Sequence, residues 1–314
     1  MEEYNGTIVT EFILLGLTKD RKLAIFLLVL YSTLYILILL GNAMIIAAVV
    51  NELRLHTPMY FLLANLSLLD IGFSTVTVPR ILVDFLSDSK MISFQGCITQ
   101  LHFYHFLGST EVILLTTMSY DRYVAICNPL RYNIIMNKKV CILLSSGSWM
   151  TGFFHALLHS VMTSRLPFCK SNKINHFFCD VKPILMLACT STHLNENLLT
   201  LVTGFIVLST FLLTLTSYAY ISSTLVKIRS AKGRQKAFST CASHLTVVFL
   251  LYGTAIYTYI RPTSVQAVEQ DRNAAILFTV ITPLLNPLIY TLRNEDVKNS
   301  LRKIIYRCIV PECI

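Results

Sequence analysis

Seven long apolar runs dominate the chain, each separated from the next by a short stretch that holds most of the charge. They extend approximately from Leu23 to Val50, Pro58 to Leu86, Gln95 to Tyr123, Val140 to Met162, Asn197 to Val226, Ala237 to Ile260 and Asn273 to Leu292. About twenty apolar residues in helical conformation cross the hydrocarbon core of a bilayer, so each run is long enough to span it. Strands of a membrane barrel would instead alternate apolar and polar residues over about ten positions. The pattern predicts an all-α membrane protein with a single bundle of seven transmembrane helices over 23–292. Residues 1–22 are expected as an extracellular N-terminal segment and 293–314 as a cytoplasmic tail.

Composition supports the membrane reading, because 54% of the 314 residues are hydrophobic and only 14% charged, against about a quarter charged in soluble domains. Mean hydropathy is +0.62. The formal charge of +9 raises the question of nucleic acid, and the placement of the charges answers it. With the N-terminus outside, fifteen of the 26 Lys and Arg residues but only five of the 17 Asp and Glu residues fall on the cytoplasmic side. Positive loops inside are what membrane insertion requires, so no nucleic-acid partner is needed. Met1 to Thr7 is acidic and polar and lacks the basic start and short apolar core of a cleavable signal, so the first helix is expected to direct insertion. Asn5-Gly6-Thr7 is a glycosylation sequon on the outer side, whereas Asn65-Leu66-Ser67 lies within the second helix, out of reach of the modifying enzymes. Glu295 to Arg307 places Val297, Leu301, Ile304 and Ile305 on one helical face and basic residues around the other, which predicts a short amphipathic helix lying on the inner leaflet.

Candidate chemistry sits where polarity interrupts the runs. Asp70 lies roughly 18 Å along its helix from Pro58, and Glu111 roughly 16 Å above Arg122, at similar depth. Two carboxylates meeting in a dry interior either share a proton or hold a cation, here an allosteric sodium ion, unless they form a polar cluster that only fixes packing. Asn42, Asn286 and Ser67 or Ser109 could join that layer. Asp121-Arg122 stands where the third run ends, at the water boundary. Cys97, Cys169, Cys179 and Cys189 fall outside or at outer helix ends, and four cysteines allow three pairings. Cys127, Cys141, Cys241, Cys308 and Cys313 are expected as free thiols, with Cys308 or Cys313 open to palmitoylation. His155 and His159 have the i, i+4 spacing of a metal pair, but with no third ligand they are read as packing residues. No nucleotide loop, zinc-protease helix or nucleophile elbow occurs, which argues against an enzyme. The chain also lacks the repeat symmetry expected of many transporters.

Several stretches together resemble the vertebrate olfactory receptors of the larger, tetrapod-type class, a branch of the rhodopsin-like G-protein-coupled receptors. They are Gly41-Asn42, Leu55-His56-Thr57-Pro58-Met59-Tyr60, Met118-Ser119-Tyr120-Asp121-Arg122-Tyr123-Val124-Ala125-Ile126-Cys127, Ser217-Tyr218, Lys236-Ala237-Phe238-Ser239-Thr240-Cys241-Ala242-Ser243-His244-Leu245 and Pro283-Leu284-Leu285-Asn286-Pro287-Leu288-Ile289-Tyr290. Ser119 replaces the usual Ala. The sixth helix reads Phe249-Leu250-Leu251-Tyr252-Gly253, without the Trp and Pro of most rhodopsin-like receptors. The resemblance implies disulfides Cys97–Cys179 and Cys169–Cys189 and an ion site at Asp70 and Glu111. It also implies a G-protein switch built from Asp121, Arg122, Tyr123, Tyr218, His244, Asn286, Pro287 and Tyr290. In that switch Arg122 rests on Asp121 and, on activation, turns to Tyr218 and Tyr290 as the sixth helix swings out. The implied partners are a small volatile odorant, a stimulatory olfactory G protein that raises cyclic AMP, and the plasma membrane of sensory cilia.

The ligand pocket is expected in the outer half of the bundle. Counting back from Glu111 in helical turns gives Tyr104, His105, Gly108 and Ser109 as one inward set. Facing them are Val202, Thr203 and Ile206 from the fifth helix, Tyr252, Ile256 and Tyr259 from the sixth, and Phe278 and Thr279 from the seventh. Such a lining suits a small, mostly apolar molecule with one hydrogen-bonding group, and Tyr252 doubles as a candidate toggle.

Overall fold

The computed structural model describes residues 9–87, 89–169, 171–227, 231–261, 264–293 and 297–302, without the side chains of 231–234, 236–240, 243 and 290–293. The Asn5 sequon, Cys308, Cys313 and the side chain of Tyr290 lie outside the described residues. Seven long helices follow in order: α1 (Arg21–Asn51), α2 (Pro58–Leu86), α3 (Phe94–Cys127), α4 (Lys138–Ser164), α5 (His193–Lys227), α6 (Ala231–Tyr259) and α7. The last runs from Val265–Ile276 through a π-helical turn, Leu277–Ile281, into Thr282–Arg293. A second π-helical turn, Leu199–Thr203, lies near the start of α5.

The helix starts are written locally. The Asp20 carboxylate accepts the backbone N–H of Lys22 and Leu23, so α1 begins ahead of its apolar run, and Ser93 and Asn137 cap α3 and α4 in the same way. Pro58 opens α2, where the missing N–H costs nothing. By length and composition α1, α2, α4, α5 and α7 qualify as membrane spans. The other two of the seven, α3 and α6, are the more polar. In α3, His102, His105, Glu111, Asp121 and Arg122 interrupt the apolar character, yet its 34 residues still cross the bilayer at about 1.5 Å each. In α6, among the described residues, His244–Tyr259 form an apolar stretch. Large side chains such as Phe26, Val50, Phe205 and Leu212 are exposed around the outside, as a lipid-facing belt requires.

The central helix is α3, which packs against α2, α4, α5 and α6, while α1 closes the ring between α2 and α7. Two close approaches depend on glycine. A Cβ on Gly152 of α4 would stand 2.8 Å from the Phe106 carbonyl oxygen and 3.0 Å from the Thr110 nitrogen of α3, and one on Gly41 would press on the Pro287 ring at 3.2 Å. Pro287 has no N–H to give the Pro283 carbonyl four residues earlier. The Asn42 amide reaches across from α1 and donates to that carbonyl at 3.2 Å, so the Gly41-Asn42 pair fits and repairs the proline site of α7.

A small sheet covers the outer end. Strand β1 (Glu11–Leu14) lies between β2 (Met91–Ser93), to which it is antiparallel, and β3 (Lys173–Ile174), to which it is parallel. Phe12 and Leu14 are fully buried beneath it with Phe168, Ile174 and the Cys97–Cys179 bridge. The N-terminal segment is therefore part of the lid. At the other end residues 297–302 are helical, with Val297 and Leu301 buried against the bundle, and the rest of the anticipated amphipathic helix lies outside the described residues.

Overpacking a tight helix crossing costs roughly 1–3 kcal/mol. Gly152→Ala should accordingly lower the thermal unfolding midpoint of the detergent-solubilised protein. Gly147→Ala, whose Cβ would meet nothing within 4 Å, should leave it unchanged.

Candidate functional site: an outer cavity above two switch layers

The outer cavity is enclosed by α3, α5, α6 and α7, with Phe73 of α2 completing the wall. Its volume is about 30 Å³, room for roughly two waters and far below the few hundred Å³ of a typical ligand pocket. Tyr104, His105, Gly108, Ser109, Thr203, Ile206, Tyr259 and Phe278 of the anticipated set line it, together with Phe73, Val112, Val207 and Ala255. Val202, Tyr252, Ile256 and Thr279 are not on the wall. The two π-helical turns end at Thr203 and span Thr279, and they shift the phase of both helices. Thr279 is fully buried and donates instead to the Ala275 carbonyl at 2.8 Å. In α6 the inward face passes through Ala255 rather than Ile256.

The cavity's hydroxyls are already engaged. Ser109 Oγ lies 2.8 Å from His155 Nδ1, the other nitrogen of that ring is 2.9 Å from Thr203 Oγ1, and His159 Nε2 is 3.4 Å from the same hydroxyl. His155 and His159 thus join α3, α4 and α5 just outside the wall. Their shared helix face signalled this, but with no partner visible in the sequence they read only as packing. A ligand offering one hydrogen-bonding group would exchange with this chain.

Above the cavity the loop between α4 and α5 is pinned twice, by Cys97–Cys179 and by Cys169–Cys189. Phe178 stacks on Tyr104 at 4.5 Å between ring centres. Asp180 receives His105 Nε2 and its own neighbour's N–H, from Val181, at 2.9 and 2.7 Å. Burial by itself would raise the Asp180 carboxyl, but the hydrogen bond and charge of His105, with His176 and the Val181 N–H, hold it below the usual carboxylate range. Lys182, 2% exposed, donates to the carbonyls of Thr258 and Arg261 and lies 3.4 Å from Asp271, which also receives Arg261 at 2.5 Å. Burial lowers the Lys182 pKa, and Asp271 opposes that shift. This latch ties the lid to the outer ends of α6 and α7, and a lone Lys in a loop gave no sign of it.

The middle layer holds Asp70, 1% exposed, and Glu111, 2% exposed. Both Asp70 oxygens face the Asn286 amide at 3.0 Å. Glu111 is near enough for the two carboxylates to repel. Among the described residues Glu111 Oε1, Asn286 Oδ1 and Asn42 Oδ1 are buried without a hydrogen-bond partner, an oxygen-rich donor set that fits a hard cation. On the other side of α3, the Tyr252 hydroxyl lies 3.0 Å from the Val112 carbonyl oxygen, to which it can donate, and 2.8 Å from the Thr116 hydroxyl. Tyr252 is fully buried beneath the cavity, where it fastens α6 to α3.

At the inner end Asp121 and Arg122 do not pair. Adjacent residues on a helix point in different directions. The Tyr132 hydroxyl of the following loop donates to Asp121 at 2.8 Å, while Arg122 reaches the sulfur of Met59. The Tyr218 hydroxyl meets His244 Nδ1 at 2.7 Å, bridging α5 to α6. Tyr123 packs between Tyr120 and Tyr220.

Six helices packed around a central polar helix, with a loop pinned over the outer cavity, make this a multi-pass helical membrane bundle. A sequence profile described as olfactory receptor matches residues 31–308. The chain is 55% identical over 309 residues to olfactory receptor 12D1 of Homo sapiens, covering 98% of this chain and 97% of that one. It is 55% identical over 304 residues to human olfactory receptor 12D3, covering 96% of each. Olfactory receptor 5AR1 of Mus musculus is 47% identical over 305 residues, covering 97% of this chain and 98% of that one. The chain belongs to the olfactory receptor family, whose members are receptors and not enzymes.

The lid carries a pH dependence. Burial lowers the His176 pKa from 6.5 to about 4, with Asp180 opposing the shift and Arg272 adding to it. Below about 6.5 the unfolded chain takes up a proton that the folded lid refuses, so stability is full above that pH and falls on the way to about 4, by roughly 3 kcal/mol in all. Thermal unfolding measured across that window should show the loss, and His176→Asn should flatten the curve.

Proposed function

We propose that this chain is an odorant receptor that takes small, mostly apolar volatile molecules into the outer cavity and signals through a stimulatory olfactory G protein, raising cyclic AMP. The carrying observation is the cavity wall, which offers the hydroxyls of Ser109 and Thr203 and the ring of His105 but no Lys, Arg, Asp or Glu. A charged ligand would lose its hydration there with no counter-ion in return. The N-terminus faces outward in this reading, with the protein in the plasma membrane of olfactory sensory cilia, and the basic excess on the opposite face supports it.

Occupancy biases a two-state bundle. A ligand larger than the closed cavity binds only the arrangement in which the walls have moved, and so favours that arrangement. The motion passes to Tyr252, then to the Tyr218–His244 bridge, whose release lets α6 swing out and Arg122 leave Met59 for the α subunit. Asp121, Tyr123, Asn286, Pro287 and Tyr290 complete the coupling machinery. In the resting arrangement Asp70 and Glu111 together hold one positive charge, a sodium ion or a shared proton, and lose it on activation.

Cyclic AMP measured in cells co-expressing an olfactory G protein checks this reading. Arg122→Ala at equal surface expression should abolish the response. Ser109→Val should weaken hydrogen-bonding volatiles by about tenfold relative to hydrocarbons of similar size, the worth of one hydrogen bond. A wild-type protein silent to every volatile while present at the surface would overturn the odorant assignment.

The middle layer has its own test. Agonist potency that follows sodium at fixed pH identifies the ion, and potency that follows pH at fixed sodium identifies the proton. Glu111→Gln should remove whichever dependence is found, and potency indifferent to both would sink the shared-charge idea.

A further inference from the structure

A second space lies below the outer cavity on the lipid-facing side, bounded by α3, α4 and α5, with a volume of about 400 Å³. Ile113, Leu144 and Leu213 make its apolar walls, and Tyr120, Tyr123 and Tyr220 stand around one end. No lining residue carries a formal charge.

The polar atoms of this groove fall into two groups. Thr116, Thr117, Thr210, Thr216 and Ser217 can donate back to the carbonyls of Val112, Ile113, Ile206, Leu212 and Leu213 on their own helices, so they ask nothing of an occupant. The three tyrosines differ. Their rings touch in series, Tyr120 to Tyr123 at 6.2 Å and Tyr123 to Tyr220 at 5.8 Å, but none of their hydroxyls has a hydrogen bond among the described residues. Phenols at the inner membrane boundary, with hydroxyls not engaged by the protein, can take a polar head while the apolar walls above them take the body.

We propose that this groove is a second binding site, for small neutral amphiphiles that carry one hydrogen-bond acceptor and reach it from the bilayer. The apolar body would lie on Ile113, Leu144 and Leu213 and the polar head among the tyrosine hydroxyls. An anionic or cationic head is disfavoured by the uncharged lining. The chemical class matches that of the outer ligand because the same apolar molecules partition into the membrane, and to that extent the proposal rests on the odorant reading. The site has a route to the switch: Thr116 forms part of its inner wall and shares its hydroxyl with Tyr252 at 2.8 Å, so an occupant presses on the contact that fastens α6 to α3.

The test is photolabelling of the purified full chain in phosphatidylcholine nanodiscs with a diazirine-bearing octanol, read by peptide mass spectrometry. Saturable adducts are expected on the peptides holding Tyr120, Tyr123 or Tyr220, reduced by excess unlabelled 1-octanol. Leu213→Trp, which fills the groove, should abolish them. The double variant Tyr120→Phe with Tyr220→Phe should raise the half-saturating concentration about two- to tenfold, the loss expected for ordinary hydrogen bonds, and tests the site even where the bulky change disturbs folding. Adducts that are neither competed by octanol nor reduced in these variants would show bulk lipid contact and overturn the proposal, as would labelling confined to the outer cavity. Outer-cavity adducts near Ser109 are read in the same spectra: their absence beside competed groove adducts counts against the outer-pocket reading and leaves the groove standing.

Discussion

In a medium without water, every buried polar group must find its partner inside the protein, and this constraint organises the bundle around α3. That helix carries a polar residue at nearly every turn, and each is answered from a different direction. Gln100 donates to the Val76 carbonyl of α2 and accepts from Cys179 in the lid, both at 2.9 Å. His105 meets Asp180 of the lid, Ser109 meets His155 of α4, Thr116 meets Tyr252 of α6, and Asp121 meets Tyr132 of the inner loop. Apolar packing alone would tolerate rotation or sliding of one helix on another, since lipid and leucine are alike to a hydrophobic surface. The polar column allows few registers. The same bonds make the structure switchable, because each can be exchanged for another at small net cost while none can be left unmade cheaply.

The closed cavity follows from the same economy. Ser109, Thr203 and His155 satisfy one another, and aromatic rings fill the remainder: Phe73 lies 5.0 Å from Tyr104 and 5.6 Å from Phe278. An open, dry pocket lined by unpaired hydroxyls would be costly, so the bundle collapses onto itself until something replaces those contacts. Two π-helical turns border the space, one in α5 and one in α7. Such turns loosen the regular ladder where side chains must rearrange, and they place the adaptable backbone beside the cavity.

What could be read from the sequence was what depends on local pattern. Run lengths placed the helices, the spacing of Tyr104, His105, Gly108 and Ser109 oriented α3 toward the cavity, and the depth of Asp70 and Glu111 put them in one layer. What escaped depends on a change of phase or on distant partners. Val202 and Thr279, expected to face α3, fall off the wall where the π-helical turns change the phase of α5 and α7. Arg122 beside Asp121 in the chain suggested a pair that helix geometry separates. Lys182 and His176 looked like ordinary loop residues because their burial comes from distant partners: Thr258, Arg261 and Asp271 close over Lys182, and the Gly16 N–H takes the His176 carbonyl. His155 showed its helix face but not Thr203, 48 residues away, which gives that face its purpose.

The distribution of unsatisfied atoms gives the middle layer its character. Glu111 Oε1, Asn42 Oδ1 and Asn286 Oδ1 are all oxygens, buried and unpartnered, and the Asn42 and Asn286 amides are spent on Pro283 and Asp70. A layer short of donors but not of acceptors is electrostatically incomplete in one direction only: it lacks positive charge. That shortage sits where α1, α2, α3 and α7 converge, so the same few side chains set both the packing and the charge of the layer. The Pro287 site lies in the same layer, and its carbonyl is repaired from α1 rather than from within α7, so a shift of α7 breaks the repair together with the Asp70 contact. The shortage of positive charge and the repaired proline therefore lie together, and both depend on α1 and α7 keeping their present places.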